Sequence, residues 1–164
     1  GAPKLERAYF GDNHLQILPD GESLAELTSL YELDLSDNYL TDVGIAPLHR
    51  LTTVATLTLS NNSSISDLTP LAELPQLSEL DVQDTLVESL VPCETMDALR
   101  DLNINETSVT DLTPLGTIAP PDGALRYLYI QDLNLNCVTS TQRTIITELQ
   151  MAGVSIYNIP SGCD

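Results

Sequence analysis

Apolar positions in this chain recur as Leu-x-x-Leu-x-Leu, with a polar Asn or Thr three residues on and another aliphatic after it. The clearest case is Leu30-Tyr-Glu-Leu33-Asp-Leu35-Ser-Asp-Asn38-Tyr-Leu40. Alternation across Leu33-Asp-Leu35 predicts a short strand with its leucines on one side and the intervening residues on the other. The pattern returns from Val54, Leu77, Leu99 and Leu125, and in weaker form from Leu5. These starts, 5, 30, 54, 77, 99 and 125, are separated by 25, 24, 23, 22 and 26 residues. A period of about 20 to 50 residues marks a repeat architecture, in which each unit buries its core only against its neighbours. One strand per repeat, stacked in parallel, is the expectation.

After each strand the chain must turn inward, where buried backbone groups need partners. An Asn amide can serve a donor and an acceptor at once. Asn13, Asn38 and Asn62 are therefore expected to form a hydrogen-bonded ladder, continued by the smaller hydroxyls of Thr85 and Thr107. Leu133 occupies the next such position and cannot hydrogen-bond, so the ladder should end there. Beyond the ladder, Ile65-Ser-Asp-Leu-Thr-Pro-Leu71 and Val109-Thr-Asp-Leu-Thr-Pro-Leu115 are near twins, and Val87-Glu-Ser-Leu-Val-Pro-Cys93 lies halfway between them. Asp67 and Asp111 should cap the turn. Thr69-Pro70 and Thr113-Pro114 read as N-cap and first helical residue of a one-turn helix or 3₁₀ segment. Leu68, Leu71, Leu112 and Leu115 would then enter the core. Leu40 to Leu48 is the same element with two extra residues.

The six-fold pattern, over about residues 5–135, resembles the leucine-rich repeat family. Within it, the short "DLTPL" repeats with Thr at positions 85 and 107 are most similar to bacterial internalins and the related phosphatase-regulator type. The resemblance implies an α/β repeat solenoid: a curved right-handed coil with a parallel sheet on its concave face and short 3₁₀ or α turns on its convex face. Residues 1–164 would form one such domain, closed by a helix–strand cap over 137–164. Internalin-type proteins mostly bind other proteins at cell surfaces, and the same role is implied here.

The cap is also readable from the residues. Thr139 to Ala152 carries Ile145, Ile146, Leu149 and Met151 near a helical period and ends before Gly153, which gives both stop signals of a helix. Val154-Ser-Ile156-Tyr restores strand alternation, as an array closing its exposed core requires. The N-terminus has no such pattern: either Gly1 to Lys4 protects the first repeat, or the segment belongs to a longer chain or pairs with something. A monomer is expected unless that edge pairs. Of three cysteines, Cys93 takes the register position of Leu71 and Leu115, which makes it a buried, inert thiol. Cys137 and Cys163 are then the candidate disulfide, which would indicate an oxidising compartment.

Composition narrows the function. Six Lys and Arg against 24 Asp and Glu give a formal charge of −18. Phosphate neutralisation needs clustered cations, so nucleic acid and anionic membranes are poor partners. No apolar run reaches the about 18 residues of a membrane span. With a leader presumed removed, the expected location is extracellular, cell-surface or periplasmic, with the cytoplasm left open. His14 and His49 read as surface residues, and neither a nucleophile elbow, a phosphate loop nor a calcium hand is present. Asn61, Asn62 and Asn105 match the glycosylation sequon, although Asn62 is a ladder residue. No enzyme, metal or cofactor is expected.

Binding is therefore sought in the outward strand columns. One column holds Tyr9, Asp34, Thr58, Asp81, Asn103 and Tyr129; its neighbour holds Arg7, Glu32, Thr56, Glu79, Asp101 and Tyr127. Like charges about 5 Å apart across strands repel, so a stack of Glu32, Asp34, Glu79, Asp81 and Asp101 is either a solvated face or one kept for a cationic partner. Tyrosine is favoured at recognition hot spots. The leading expectation is a protein-interaction module that binds a partner with a basic patch through this face. Two alternatives are a structural or adaptor segment of a larger surface protein, and a carbohydrate-binding module stacking sugars on Tyr127 and Tyr129.

Overall fold

A computed structural model describes residues 4–121, 123–137 and 140–163. Seven three-residue strands form one sheet in chain order, every neighbour parallel: β1 (Arg7–Tyr9), β2 (Glu32–Asp34), β3 (Thr56–Thr58), β4 (Glu79–Asp81), β5 (Asp101–Asn103), β6 (Tyr127–Tyr129) and β7 (Ser155–Tyr157). The central residues Ala8, Leu33, Leu57, Leu80, Leu102, Leu128 and Ile156 lie side by side in one row. Strand alternation sends this row inward and leaves both flanking rows on the open face. Behind it, Leu35, Leu59, Val82, Ile104 and Ile130 are fully buried. Truncating one such leucine to alanine costs about 2–5 kcal/mol.

Two residues after the last inward residue of each repeat the backbone enters the left-handed region. Asp12, Asp37, Asn61, Asp84, Glu106 and Asp132 all have φ between 52° and 58°. Short polar side chains that bond locally are the non-glycine residues that tolerate this conformation best.

The next residue of each turn faces inward. Asn38 Oδ1 accepts the Leu15 amide at 3.0 Å, and Asn62 Oδ1 accepts the Leu40 amide at 2.9 Å. Each asparagine thus reaches back about one repeat, while its Nδ2 donates to carbonyls of its own repeat and the preceding one. The Thr85 and Thr107 hydroxyls each donate within their own repeat, to the carbonyls of Val82 and Ile104. A hydroxyl is too short to reach the adjacent coil. The Asn13 side chain donates within its own turn, to the Phe10 and Gly11 carbonyls, and the residue is exposed. Leu133 is buried among apolar neighbours.

On the other side, the connections form α1 (Gly21–Ala25), α2 (Asp42–Ile45) and 3₁₀ segments over Ala46–Arg50, Thr69–Leu71, Val91–Thr95 and Thr113–Thr117. Thr69 and Thr113 are the first residues of their segments rather than N-caps, which corrects the sequence expectation. The capping oxygen comes two residues earlier: Asp67 accepts the Thr69 amide at 2.8 Å, and Asp111 accepts the Thr113 amide at 2.9 Å. A carboxylate can take both the amide and the hydroxyl of the same threonine, which its own hydroxyl cannot do. Leu68, Leu71, Leu112 and Leu115 are fully buried. The extra residues of the second repeat make α2, where Thr41 caps by accepting the Gly44 amide.

At the C-terminal end, α3 (Ser140–Met151) buries Ile146 and Leu149, and Gly153 closes it with φ 96°. Gln142 Oε1 accepts the Leu112 amide at 2.9 Å while its Nε2 donates to Asp111, locking the helix onto the preceding 3₁₀ segment. Cys137 and Cys163 are joined by a disulfide, and Cys93 is a buried free thiol. Thr139, the expected start of the helix, lies outside the described residues, as do Asp164 and Gly1 to Pro3 of the segment Gly1 to Lys4, one of the two alternatives for the first repeat. Lys4, its last member, is exposed. Leu5, Phe10 and Ile17 are exposed at that end, beside an apolar cleft of about 280 Å³ reaching Leu24 and Leu27.

Candidate functional site

The parallel register places the sequence-derived columns in two straight rows on the open sheet face. One runs Tyr9, Asp34, Thr58, Asp81, Asn103, Tyr129, and β7 extends it with Tyr157. The other runs Arg7, Glu32, Thr56, Glu79, Asp101, Tyr127 and Ser155. As the columns order them, the carboxylates are not contiguous along the rows. Thr56 and Thr58 separate Glu32 and Asp34 from Glu79 and Asp81, so repulsion is relieved by a neutral strand between two acidic ones.

The two halves of the face differ. At the N-terminal end Arg7 pairs with Glu32 at 3.2 Å, bonds the Tyr31 hydroxyl, and sits 5.1 Å from the centre of the Tyr31 ring. Tyr9 donates its hydroxyl to Glu32 at 2.9 Å, and that bond holds the Tyr9 hydroxyl above its ordinary pKa. Asp34 accepts the amide and hydroxyl of Ser36. Glu32 is thus ion-paired, while Asp34 is held by hydrogen bonds alone.

The strands of the other half carry no cation. Glu79, Asp81, Asp101, Asn103 and Tyr129, with Thr56 and Thr58, line a shallow depression of about 270 Å³. Arg7 is the one cation on the seven strands, and among the described residues Glu79, Asp81 and Asp101 have no ion-pair partner. Partial burial pushes the Asp81 carboxyl up from its ordinary value, against the Gln83 amide and the Asn103 side chain that favour its charge; Asp34 adds repulsion. Beyond the depression, Tyr129 and Tyr157 stack with ring centres 4.8 Å apart and planes 13° apart, and Tyr127 lies 6.5 Å from Tyr157. Burial, the two neighbouring tyrosines and Asp101 together raise the Tyr129 hydroxyl pKa.

Tyr157 is the residue the columns missed. It belongs to the row by the same alternation as Tyr129, but its strand follows a helix and lacks the leucine signature that defines the others. Of the other candidates, His49 bonds the Ala46 carbonyl on the opposite side of the molecule and His14 packs against Tyr39. Among the sequons, Asn62 is fully buried and Asn105 is mostly buried with its Oδ1 on the Gln131 amide; Asn61 alone is exposed.

A leucine-rich repeat family profile matches residues 28–87, the stretch that holds β2 to β4. Those residues are leucine-rich repeats, and the chain has the leucine-rich repeat fold. Its repeats are of the internalin-like type: an internalin from Listeria monocytogenes superposes with a TM-score of 0.76 at 25% identity, over 93% of this chain and 40% of the internalin. A leucine-rich repeat protein from Leptospira interrogans gives the same TM-score at 19% identity, over 93% of this chain and 36% of its own. A plant peptide hormone receptor, RGFR1, in complex with RGF2, shares the fold with a TM-score of 0.63 at 17% identity, over 80% of this chain and 21% of the receptor. No curated protein sequence matches. The chain therefore spans less than half the length of these neighbours, and its fold is that of a protein-interaction module. No described helix is long and apolar enough to cross a membrane.

Proposed function

We infer that this leucine-rich repeat protein binds another protein through the open face of its sheet, and that the partner presents a basic patch. The observation that supports this most is the division of the face. At its N-terminal end Arg7 pairs with Glu32, whereas among the described residues Glu79, Asp81 and Asp101 have no ion-pair partner and lie beside a group of tyrosines. Isolated solvated acids cost little, but a shallow depression edged with aromatic rings is the composition of an interface core. The Cys137–Cys163 disulfide fits an oxidising setting outside the cytoplasm.

The test is a binding screen of the purified protein against an array of secreted and surface-exposed proteins, followed by the triple variant Glu79→Lys, Asp81→Lys, Asp101→Lys. Loss of a partner at an unchanged melting temperature supports recognition by this face. Undiminished binding by the variant overturns it and favours a structural or adaptor role in which the other surfaces matter.

A further inference from the structure

The geometry points to an arginine clamp at the C-terminal end of this face, in which Tyr127, Tyr129 and Tyr157 offer ring faces and Asp101 a carboxylate to a guanidinium of the partner protein. The inference deepens the reading above and rests on it. Tyr129 and Tyr157 lie nearly parallel on adjacent strands, at 4.8 Å and 13°, and Tyr127 and Tyr157 are 40% and 42% exposed. Side chains on strands stand away from the sheet, so the rings form a slab with free surface. Asp101 is the direct cross-strand neighbour of Tyr127, and it lines the depression together with Tyr129.

The choice of arginine follows from the opposite end of the same sheet. There Arg7 lies 5.1 Å from the centre of the Tyr31 ring and 3.2 Å from the Glu32 carboxylate, with Tyr9 bonded to that carboxylate. Tyrosine, carboxylate and guanidinium are thus already assembled once within this chain. At the C-terminal end the tyrosines and the carboxylate recur, and among the described residues no cation reaches them. A guanidinium is planar and can stack on a ring while its N–H fork engages a carboxylate; the compact, strongly hydrated lysine ammonium does neither as well.

The experiment is an NMR titration of the isotopically labelled protein, at low ionic strength, with N-acetyl-arginine amide. N-acetyl-citrulline amide, of the same shape without the charge, N-acetyl-lysine amide and methyl glucoside serve as comparisons. Saturable shifts of the Tyr127, Tyr129 and Tyr157 ring signals with the arginine probe, weaker with lysine and absent with citrulline, support the clamp. Asp101→Asn, which keeps the shape of the strand, and Tyr157→Leu should each weaken the arginine response by roughly threefold to tenfold. Equal shifts with citrulline, a response to the glucoside alone, or arginine shifts confined to Glu79 and Asp81 each overturn it. The last of these leaves the acidic face intact as a binding surface, whereas a charge-reversed protein that still holds its partner removes the face itself, so the two failures are distinguishable.

Discussion

Asn62 Oδ1 accepts the Leu40 amide at 2.9 Å, and through this bond the third repeat supports the backbone of the second. The same side chain donates to the Leu35 and Leu59 carbonyls, all within the fully buried interior. Replacing Asn62 by alanine strands one amide and two carbonyls. Unsatisfied buried groups cost about 1–3 kcal/mol each, so the loss should be about 3 kcal/mol or more in urea denaturation. Asn13→Ala, at the exposed end of the series, should cost less than about 1 kcal/mol. Equal losses at the two positions would refute the ladder as the source of the difference.

Gly44 is buried in α2, where an added Cβ would stand 2.2 Å from the Gln16 carbonyl oxygen. That atom belongs to backbone whose neighbour Leu18 bonds the Gly44 carbonyl, so it cannot swing aside. Gly44→Ala should destabilise by about 1–3 kcal/mol, despite alanine's better helix propensity. Gly116→Ala, with nothing within 4 Å of its Cβ position, is the control and should leave the melting temperature nearly unchanged.

The cysteines should separate cleanly by chemistry. Burial pushes the Cys93 thiol up to about 12, so a thiol reagent at neutral pH should find none reactive in the native protein and one after denaturation. The Cys137–Cys163 bond closes a segment of 26 residues. Loop-closure entropy assigns it about 3 kcal/mol, and Cys137→Ala with Cys163→Ala should lower thermal stability by a corresponding amount while leaving the repeats folded.

Asp81 predicts an inverted pH response. Its carboxyl titrates above the ordinary value in the folded protein because of partial burial, with the Asp34 charge adding to it. Between the unfolded pKa of about 3.9 and that raised value, the folded state binds more protons than the unfolded one. Ionised Asp81 therefore subtracts stability at neutral pH, and the penalty fades as pH falls through the raised value and then below the unfolded one. Asp81→Asn should raise the melting temperature at pH 7, with the gain shrinking toward pH 3 to 4. A gain of the same size at both ends of that range would show that burial of the charge is not its cause.

Much of this architecture is visible in the residues. Leucine spacing gives the strand positions and, through alternation, the outward rows from Tyr9 to Tyr129, because period and side-chain direction are both set by local backbone geometry. What escaped depends on the third dimension. Nothing in the one-residue difference between Thr69 as cap and Thr69 as first residue is encoded apart from Asp67, whose carboxylate takes both the amide and the hydroxyl of Thr69. The Arg7–Glu32 pair joins two strands 25 positions apart and needs the parallel register to be seen. Tyr157 needed the column to be carried past a helix into a strand without the leucine signature.

The left-handed turns change what the acidity of this chain means. Asp12, Asp37, Asp84, Glu106 and Asp132 sit where the backbone favours a short polar side chain, and Asp67 and Asp111 sit where a helical turn asks for an oxygen. Their charge is a by-product of geometry: asparagine would satisfy the turns about as well. A leucine-rich repeat protein of this kind can therefore drift widely in isoelectric point through its turns and caps while its sheet face stays the same. Overall charge is consequently a poor index of what such a protein recognises, and the few carboxylates on the strands are the informative ones.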